Sequence, residues 1–445
     1  MIVRRSLVVP LIAAWVAIAP PPALAAPATD PPAASAEEVA ALRREVESLR
    51  ALVRLLQDQI AALPAQPAVV AAPAMPPAAI APATPRSQTL MNPAISALFL
   101  LTGATSIQPR EGEDHFDLSE AEVAFQAAVD PYARVDLYLA FPSGESPEVE
   151  EGFIATTDLP GPLQLRGGRI KSAFGKWNLY HSHQFFSIDR PRVLDSFFGE
   201  ESLTTDGLSL SVLIPNPANL YLDSLTEVGA ATHGPAFNSG HRGLTFLEHL
   251  TAFFNPGRDH TLEVGATGVF GETGPSEDLI AAIDAAVPPG TLVPSDGLDS
   301  QVFGVDVTWK WRPVDRNVYQ SFLWQTEWLR SRRNLETLDL AGPSLVPATV
   351  SSTGGYSYAE YQFLKRWRAG ARFDWTEFPD DALARERAVS GVVRFHPSEF
   401  QELRFQIERV TRNDAAAARA GGDEDDTRLF FQWIPIIGAH GAHKY

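Results

Sequence analysis

Apolar and polar side chains alternate in short segments from residue 94 towards the C-terminus. This period of two predicts β-strands with one apolar face and one polar face. In one of the clearest segments, Val305, Val307 and Trp309 alternate with Asp306 and Thr308. The pattern indicates about sixteen strands, near residues 94–101, 116–129, 132–141, 148–157, 163–170, 207–214, 219–230, 243–254, 260–270, 300–312, 317–330, 354–366, 367–378, 386–397, 400–411 and 427–438.

The connections between these segments alternate in length. Most of the short ones contain Pro, Asn, Asp or Gly, the residues that tight turns require; they lie at 130–131, 158–162, 215–218, 255–259, 313–316, 366–367 and 397–398. The long ones are expected at 102–115, 171–206, 231–242, 271–299, 331–353 and 412–426, with shorter ones at 142–147 and 379–385. This alternation is typical of an all-β protein that forms a transmembrane antiparallel β-barrel. The alternative, a soluble β-sandwich, would have long loops at both ends.

The polar faces of several predicted strands carry full charges. An arginine or lysine on the lipid side near the middle of the bilayer would cost about 2–4 kcal/mol. The charged face is therefore expected to line the lumen, and we expect that lumen to be a wet pore rather than a dry packed core. An even number of strands places both ends of the barrel, residues 90–445, on the periplasmic side.

The composition agrees with such a barrel. Mean hydropathy is −0.07, and outside the N-terminus no segment is long and apolar enough for a spanning helix of about 20 residues. The sequence contains no cysteine, which excludes disulfides and thiolate metal sites, and the formal charge of −18 argues against a nucleic-acid partner. Seven of the nine tryptophans lie between Trp309 and Trp433, mostly near predicted strand ends, as in the aromatic belts of membrane barrels.

The first 25 residues have the features of a secretory signal peptide. Arg4 and Arg5 form a charged start, Leu7–Ala19 is apolar, and Ala23-Leu24-Ala25 is a small-residue cleavage site. A membrane anchor is the alternative, but the apolar run is too short and is followed by prolines. Export towards the outer membrane is the expectation.

Residues 26–63 predict a periplasmic coiled coil, and 64–89 form an Ala/Pro-rich linker that should be extended. The heptad positions, spaced alternately by three and four, are Val39, Leu42, Val46, Leu49, Val53, Leu56, Ile60 and Leu63. The alternative is a single amphipathic helix packed on its own barrel. The heptads leave dimer and trimer open.

The connection 171–206 is rich in aromatic residues: Phe174, Trp177, Tyr180, Phe185, Phe186, Phe197 and Phe198. So many exposed aromatic side chains would promote aggregation, so we expect this loop to fold against the inner barrel wall and narrow the pore. It would then carry several charged residues towards the channel axis: Lys171, Lys176, Arg190, Arg192 and Asp195.

A sixteen-stranded pattern with a folded loop after the fifth strand resembles the porins of Gram-negative outer membranes. The coiled coil, the linker and the segments Tyr358-Ala359-Glu360-Tyr361-Gln362-Phe363 and Gly370-Ala371-Arg372-Phe373-Asp374 are similar to the phosphate-selective porin O/P-like group. This resemblance implies a homotrimer in outer-membrane lipid, with a basic constriction and arginines lining the pore. The candidates for those roles are the loop residues Lys171, Lys176, Arg190 and Arg192 and the wall residues Lys310, Arg312, Arg372, Arg394 and Arg404.

Acidic residues share the same predicted lumen face: Glu120, Glu122, Asp306, Glu327, Glu360, Asp374, Glu402 and Glu408. A mixed wall favours passive diffusion of small hydrophilic or anionic solutes without a strong ion preference. The alternative function is a structural tether in which the coiled coil binds peptidoglycan or another envelope partner.

Neither an enzyme nor a cofactor-dependent protein is expected, because His249, His260 and His396 occur in no recognisable nucleophile motif. The pairs His181 with His183 and His440 with His443 lack the third and fourth ligands of a metal site. A metal-uptake channel is therefore the weakest of the three hypotheses.

Overall fold

The computed structural model describes residues 93–107, 115–199, 201–216, 220–231, 236–237, 244–273, 298–339, 344–421 and 425–438. The predicted signal peptide, coiled coil and linker, and the histidines of the C-terminal tail, lie outside these ranges. No helix in the described ranges is long and apolar enough to cross a membrane.

Sixteen antiparallel strands in the described residues form one closed barrel, which confirms the predicted fold. Each strand pairs with its neighbours in sequence, and the first strand closes the barrel against the last. The strands are β1 (Ala94–Ser106), β2 (His115–Asp130), β3 (Ala133–Pro142), β4 (Glu148–Thr156), β5 (Leu163–Lys171), β6 (Thr204–Leu213), β7 (Tyr221–Ala231), β8 (Thr245–Gly257), β9 (His260–Thr273), β10 (Leu298–Trp311), β11 (Ser321–Asp339), β12 (Ser344–Leu364), β13 (Trp367–Glu377), β14 (Arg385–Ser398), β15 (Gln401–Arg412) and β16 (Asp425–Gly438).

The two faces of the strands differ as the alternating pattern predicts. On β13, Phe373 is 44% exposed on the outside, whereas Arg372 is 2% exposed on the inside. On β15, Phe405 is 51% exposed, whereas Glu408 is fully buried. The apolar outer surface suits lipid, and the charged side chains lie within the barrel.

The expected long loop at 331–353 is largely strand. β11 and β12 continue through this region as a hairpin, with Asn334 opposite Thr349 and Asp339 opposite Ser344. Beyond the apolar belt, a strand no longer needs an apolar outer face. The alternation of apolar and polar residues therefore stops there, although the strand and its pairing continue. A helix, α2 (Asp414–Arg419), occupies part of the expected loop at 412–426.

Aromatic side chains cluster near the end of the barrel where the connections are short. The Trp309 ring stacks on His260, with centroids 5.7 Å apart, and meets Phe322 at 5.3 Å. Trp367 stacks on Phe395 at 4.4 Å. Amphipathic rings at this level fit one of the two predicted aromatic belts.

Candidate functional site

The connection from Ser172 to Leu203, here called the inner loop, lies inside the barrel. It contains two short 3₁₀ turns, Trp177–Leu179 and Ser182–Gln184, and the helix α1 (Arg192–Phe198). Its groups bond to inward-facing side chains on β2, β4, β7, β9, β11, β13 and β15. The loop therefore crosses the lumen, as its aromatic content indicated.

A buried apolar core fixes the inner loop to the wall. The side chains of Trp177, Phe197 and Phe198 are fully buried, and they belong to one cluster with the wall residues Leu329 and Tyr356. Each such side chain contributes about 1.5–3 kcal/mol on burial. The expectation of a lumen without a dry core is therefore wrong at the level of the loop.

The wall makes room for the loop with glycines. A β-carbon on Gly304 of β10 would lie 2.7 Å from the Phe174 ring, and one on Gly354 of β12 would lie 2.5 Å from the side chain of Val193. These positions read as ordinary small residues in the sequence. Only the folded loop shows what they accommodate.

Glu327 of β11 anchors the first bend of the loop. Its Oε1 accepts hydrogen bonds from the backbone N–H of Lys176 at 2.9 Å and of Trp177 at 2.7 Å. The Tyr356 hydroxyl donates to the same oxygen at 2.7 Å. The preceding residue, Gly175, has φ of +57°, and a β-carbon there would meet the Glu327 carboxylate. Glycine is therefore required at this bend both for its positive φ and because a β-carbon would have no space.

Arg372 holds the middle of the loop. It bonds Asp374 of its own strand at 2.7 Å and Asp189 of the loop at 2.8 Å, and it also donates to the Ser187 hydroxyl. Burial raises the pKa of Asp189, but the Arg372 guanidinium outweighs this and holds the pKa of that carboxyl below its usual range.

Arg192 lies at the start of α1 and extends from the inner loop to carboxylates of the wall, whereas Arg372 extends from the wall to the loop. Its Nη2 lies 2.5 Å from Glu408 of β15, and its Nη1 lies 3.5 Å from Glu386 of β14. Arg428 of β16 also bonds Glu408, at 2.7 Å. Loop and wall therefore share these carboxylates.

Arg394 and Arg404 complete this side of the wall. Arg394 pairs with Glu360 at 3.0 Å and with Glu402 at 2.5 Å. Arg404 pairs with Glu402 at 2.9 Å and donates to the His183 carbonyl at 2.5 Å. Three of the predicted basic wall residues, Arg372, Arg394 and Arg404, are thus paired with acids, and Arg372 and Arg404 also bond to the loop.

The remaining predicted site residues form two groups, those that contact the inner loop and those that lie apart from it. Lys171 pairs with Glu150 at 2.5 Å, and Lys176 pairs with Glu263 at 2.6 Å. Arg190 donates to the Gly199 carbonyl at 2.6 Å and lies 3.5 Å from Asp195. These contacts also fasten the loop, either to the wall or to itself.

Lys310 and Arg312 lie apart from the loop arginines. Lys310 is half-buried near the short-turn end of β10. Arg312 was expected on the barrel wall, but β10 ends at Trp311 and the Arg312 side chain is exposed at the turn. The Arg312 backbone N–H still donates to the Asp259 carbonyl at 2.8 Å, so the contact with the neighbouring turn continues one residue beyond β10.

On the opposite side, the inner loop meets β2 and β4 through two histidines that the sequence alone did not connect to any partner. His181 Nδ1 lies 2.8 Å from Glu150 Oε2, and its Nε2 lies 3.0 Å from Glu151 Oε2. His183 Nδ1 lies 3.2 Å from Glu122 Oε2. Both histidines therefore lie beside carboxylates of the wall that are distant from them in the sequence.

The two imidazoles differ in protonation. Burial lowers the pKa of His181, but the Glu150 carboxylate outweighs this and holds the pKa well above its usual value. At His183 burial prevails and the pKa is lowered. The same group of carboxylates and the same burial therefore shift the pKa values of the two imidazoles in opposite directions.

No family model matches the chain. An uncharacterized protein of Aquifex aeolicus is 27% identical over 358 residues, which cover 74% of this chain and 70% of that protein. The fold is similar to that of OprB from Pseudomonas putida, with a TM-score of 0.50 at 9% identity over 78% of this chain and 94% of that one. The outer membrane channel DcaP of Acinetobacter baumannii gives a TM-score of 0.49 at 11% identity over 78% and 98%. The likeness to OprB shows a shared barrel fold.

Proposed function

We propose that this protein is a porin of the Gram-negative outer membrane, through which small hydrophilic solutes diffuse passively. The observation that carries the proposal is the inner loop, which lies within a closed barrel and is bonded to strands on opposite sides of the lumen. A loop fixed in this way narrows a channel without depending on a moving part. The apolar outer face supports placement in lipid.

The contacts of the basic residues favour weak solute selectivity. A basic site for an anion needs positive charge that is not already neutralised. Arg372, Arg394 and Arg404 are buried and bonded to carboxylates. We therefore assign them to holding the loop, and we do not extend the phosphate preference of the porin O/P-like group to this chain.

A homotrimer with its short turns in the periplasm completes the proposal. The alternation of short and long connections supports this orientation, and the resemblance to porins supports the trimer. The coiled coil would then lie in the periplasm.

Conductance in planar lipid bilayers tests the channel. Purified full-length protein is expected to give discrete steps, with a small reversal potential in a salt gradient because Arg372, Arg394 and Arg404 are paired with acids. Folded protein that inserts without steps would overturn the porin proposal, and a strong anion preference would overturn the assignment of the arginines.

Glu327→Ala tests the constriction in the same assay. Removing the acceptor of two loop amides should loosen the loop and raise the conductance of each step. Asp136→Ala is the control, since this buried carboxylate of β3 pairs with Arg134 of its own strand at 3.1 Å. Equal conductance in wild type and both variants would show that the loop does not set the channel width.

A further inference from the structure

A compact group of side chains joins the inner loop to β2 and β4 and is unlike the rest of the wall. It contains four carboxylates, one lysine and two imidazoles: Glu120, Glu122, Glu150, Glu151, Lys171, His181 and His183. Ligand atoms of Glu122, Glu150 and His181 all lie within 4.8 Å of one another. Its four carboxyl groups outnumber its single lysine.

The spacing of the donor atoms suits a small metal ion. His181 Nδ1 lies 2.8 Å from Glu150 Oε2 and 3.5 Å from Glu122 Oε2, and His183 Nδ1 lies 3.2 Å from that same Glu122 oxygen. A tetrahedral ion with bonds of about 2.0–2.2 Å holds its ligand atoms roughly 3.3–3.6 Å apart. Small side-chain rotations would bring these atoms to that geometry.

Glu122 provides an independent indication of a missing partner. It is only 1% exposed, and neither of its carboxylate oxygens, Oε1 or Oε2, accepts a hydrogen bond of good geometry from the described residues. Burying a carboxylate oxygen without a donor is costly. A cation between Glu122 and the two histidines would supply the missing partner.

The surroundings of His181 are those of a metal ligand. Its second nitrogen, Nε2, faces Glu151 Oε2 at 3.0 Å, and metal-binding histidines usually donate their other N–H to a carboxylate. Tyr138 packs on the ring, with centroids 4.6 Å apart. Lys171 bonds Glu150 through Oε1 and leaves Oε2 towards His181.

A β-bulge makes this arrangement possible. Tyr138 pairs with Glu151 while Leu139 pairs with Val149, so Glu150 is the extra residue in β4. Two consecutive residues of a regular strand point to opposite faces. The bulge turns both glutamates towards the loop, so that one can bind an ion and the other can orient His181.

We propose that this group binds one divalent transition-metal ion of the zinc class, with His181, His183, Glu122 and Glu150 as ligands. Imidazole and carboxylate are suitable donors for such an ion. The bound ion fastens the inner loop to β2 and β4, and it is resident in the wall rather than a transported solute. The proposal does not depend on conduction, since a barrel without a channel could still hold the ion.

Zn²⁺ binding to the full-length protein in detergent tests the site. The protein carries no affinity tag and contains His440→Ala and His443→Ala, which remove the histidines of the tail. After treatment with a chelator, equilibrium dialysis against Zn²⁺ and elemental analysis give the affinity and the number of ions per chain. The expected result is one ion per chain at micromolar or lower free Zn²⁺.

Glu122→Gln and His181→Ala should each weaken this binding by more than about 100-fold, since loss of even an outer partner costs 10- to 100-fold. His396→Ala is the matched control, because His396 faces Glu402 at 3.6 Å on the other side of the wall and should leave binding unchanged. Co²⁺ absorption in the wild type gives a second readout that requires no variant, with intense visible bands expected for a tetrahedral site.

Absence of micromolar Zn²⁺ binding in the wild type would overturn the proposal, as would unchanged binding in folded Glu122→Gln. Heat-modifiable electrophoretic mobility of the metal-free proteins establishes folding. If Glu122→Gln does not fold, His183→Gln replaces it, and unchanged binding in that variant would equally exclude the four-ligand site.

Discussion

The inner loop is attached to the barrel on two sides, and the two attachments differ in charge balance. Where the inner loop meets β12 to β15, each of six buried or partly buried acids of the loop and wall meets at least one guanidinium; the acids are Asp189, Glu360, Asp374, Glu386, Glu402 and Glu408. On β2 and β4 four carboxylates meet one lysine and two imidazoles. The first side pairs its acids within the protein, whereas the second is where we propose a bound cation. On this proposal the same loop is held by a permanent arginine clamp and by an attachment that depends on a bound ion.

The largest expected effect comes from breaking the permanent clamp. Arg372→Ala leaves Asp189 and Asp374 buried without their main counter-ion, and loss of one partner of a buried pair costs about 3–5 kcal/mol. The free energy of unfolding in detergent should fall by about that amount, and trypsin should cleave within the inner loop.

Arg409→Ala is the control for that experiment. Arg409 makes an ion pair with Asp425 at 2.8 Å, the same distance as Arg372 to Asp189, but the two side chains are 65% and 44% exposed. An exposed pair contributes about 0–1 kcal/mol. Equal decreases in the free energy of unfolding in the two variants would mean that burial does not account for the stabilisation by the Arg372 group.

A smaller effect is expected where the loop enters the lumen. Gly175→Ala places a β-carbon against the Glu327 carboxylate and also requires positive φ. The left-handed conformation costs about 1–2 kcal/mol, and overpacking adds about 1–3 kcal/mol. Denaturant unfolding measures the sum, and the bilayer conductance reports whether the loop has moved.

Gly144→Ala separates the two contributions. Gly144 has φ of +79° but nothing within 4 Å of an added β-carbon, so it should incur the conformational cost alone. If Gly144→Ala lowers the free energy of unfolding as much as Gly175→Ala does, the contact with Glu327 is unimportant.

The smallest effect on the fold is expected on the histidine side. Glu151→Gln keeps the size of the side chain and should leave the barrel and the arginine clamp intact. Because it weakens the group that orients His181, Zn²⁺ affinity should fall by about 10- to 100-fold. The same dialysis experiment measures it, and an unchanged affinity would remove Glu151 from the site.

The barrel could be predicted from the sequence because its signal is local. Alternation such as Val305 to Trp309 is visible within a few residues, and the turn residues mark the ends. The inward path of the inner loop also followed from its aromatic content. The coiled coil and signal peptide remain predictions that the described residues do not test.

The chemistry of the lumen could not be predicted in the same way. Arg372 and Asp189 are 183 residues apart, and no periodicity connects them. Arginines on the inner face could equally have remained available to solutes. The histidine group depends on the bulge at Glu150, and a single extra residue in a strand leaves no clear mark in an alternating pattern.

The inner loop also constrains the order in which the protein can fold. Its middle bonds to residues more than 180 positions later in the chain, such as Asp189 with Gln406 at a separation of 217. Contacts of such long range form late, because loop-closure entropy is lost before they contribute. Until the last strands arrive, the aromatic side chains of the loop have no wall to cover them. The nascent barrel must therefore close around the inner loop. The unclosed intermediate, in which the aromatic side chains of the loop are uncovered, is the species most in need of a chaperone.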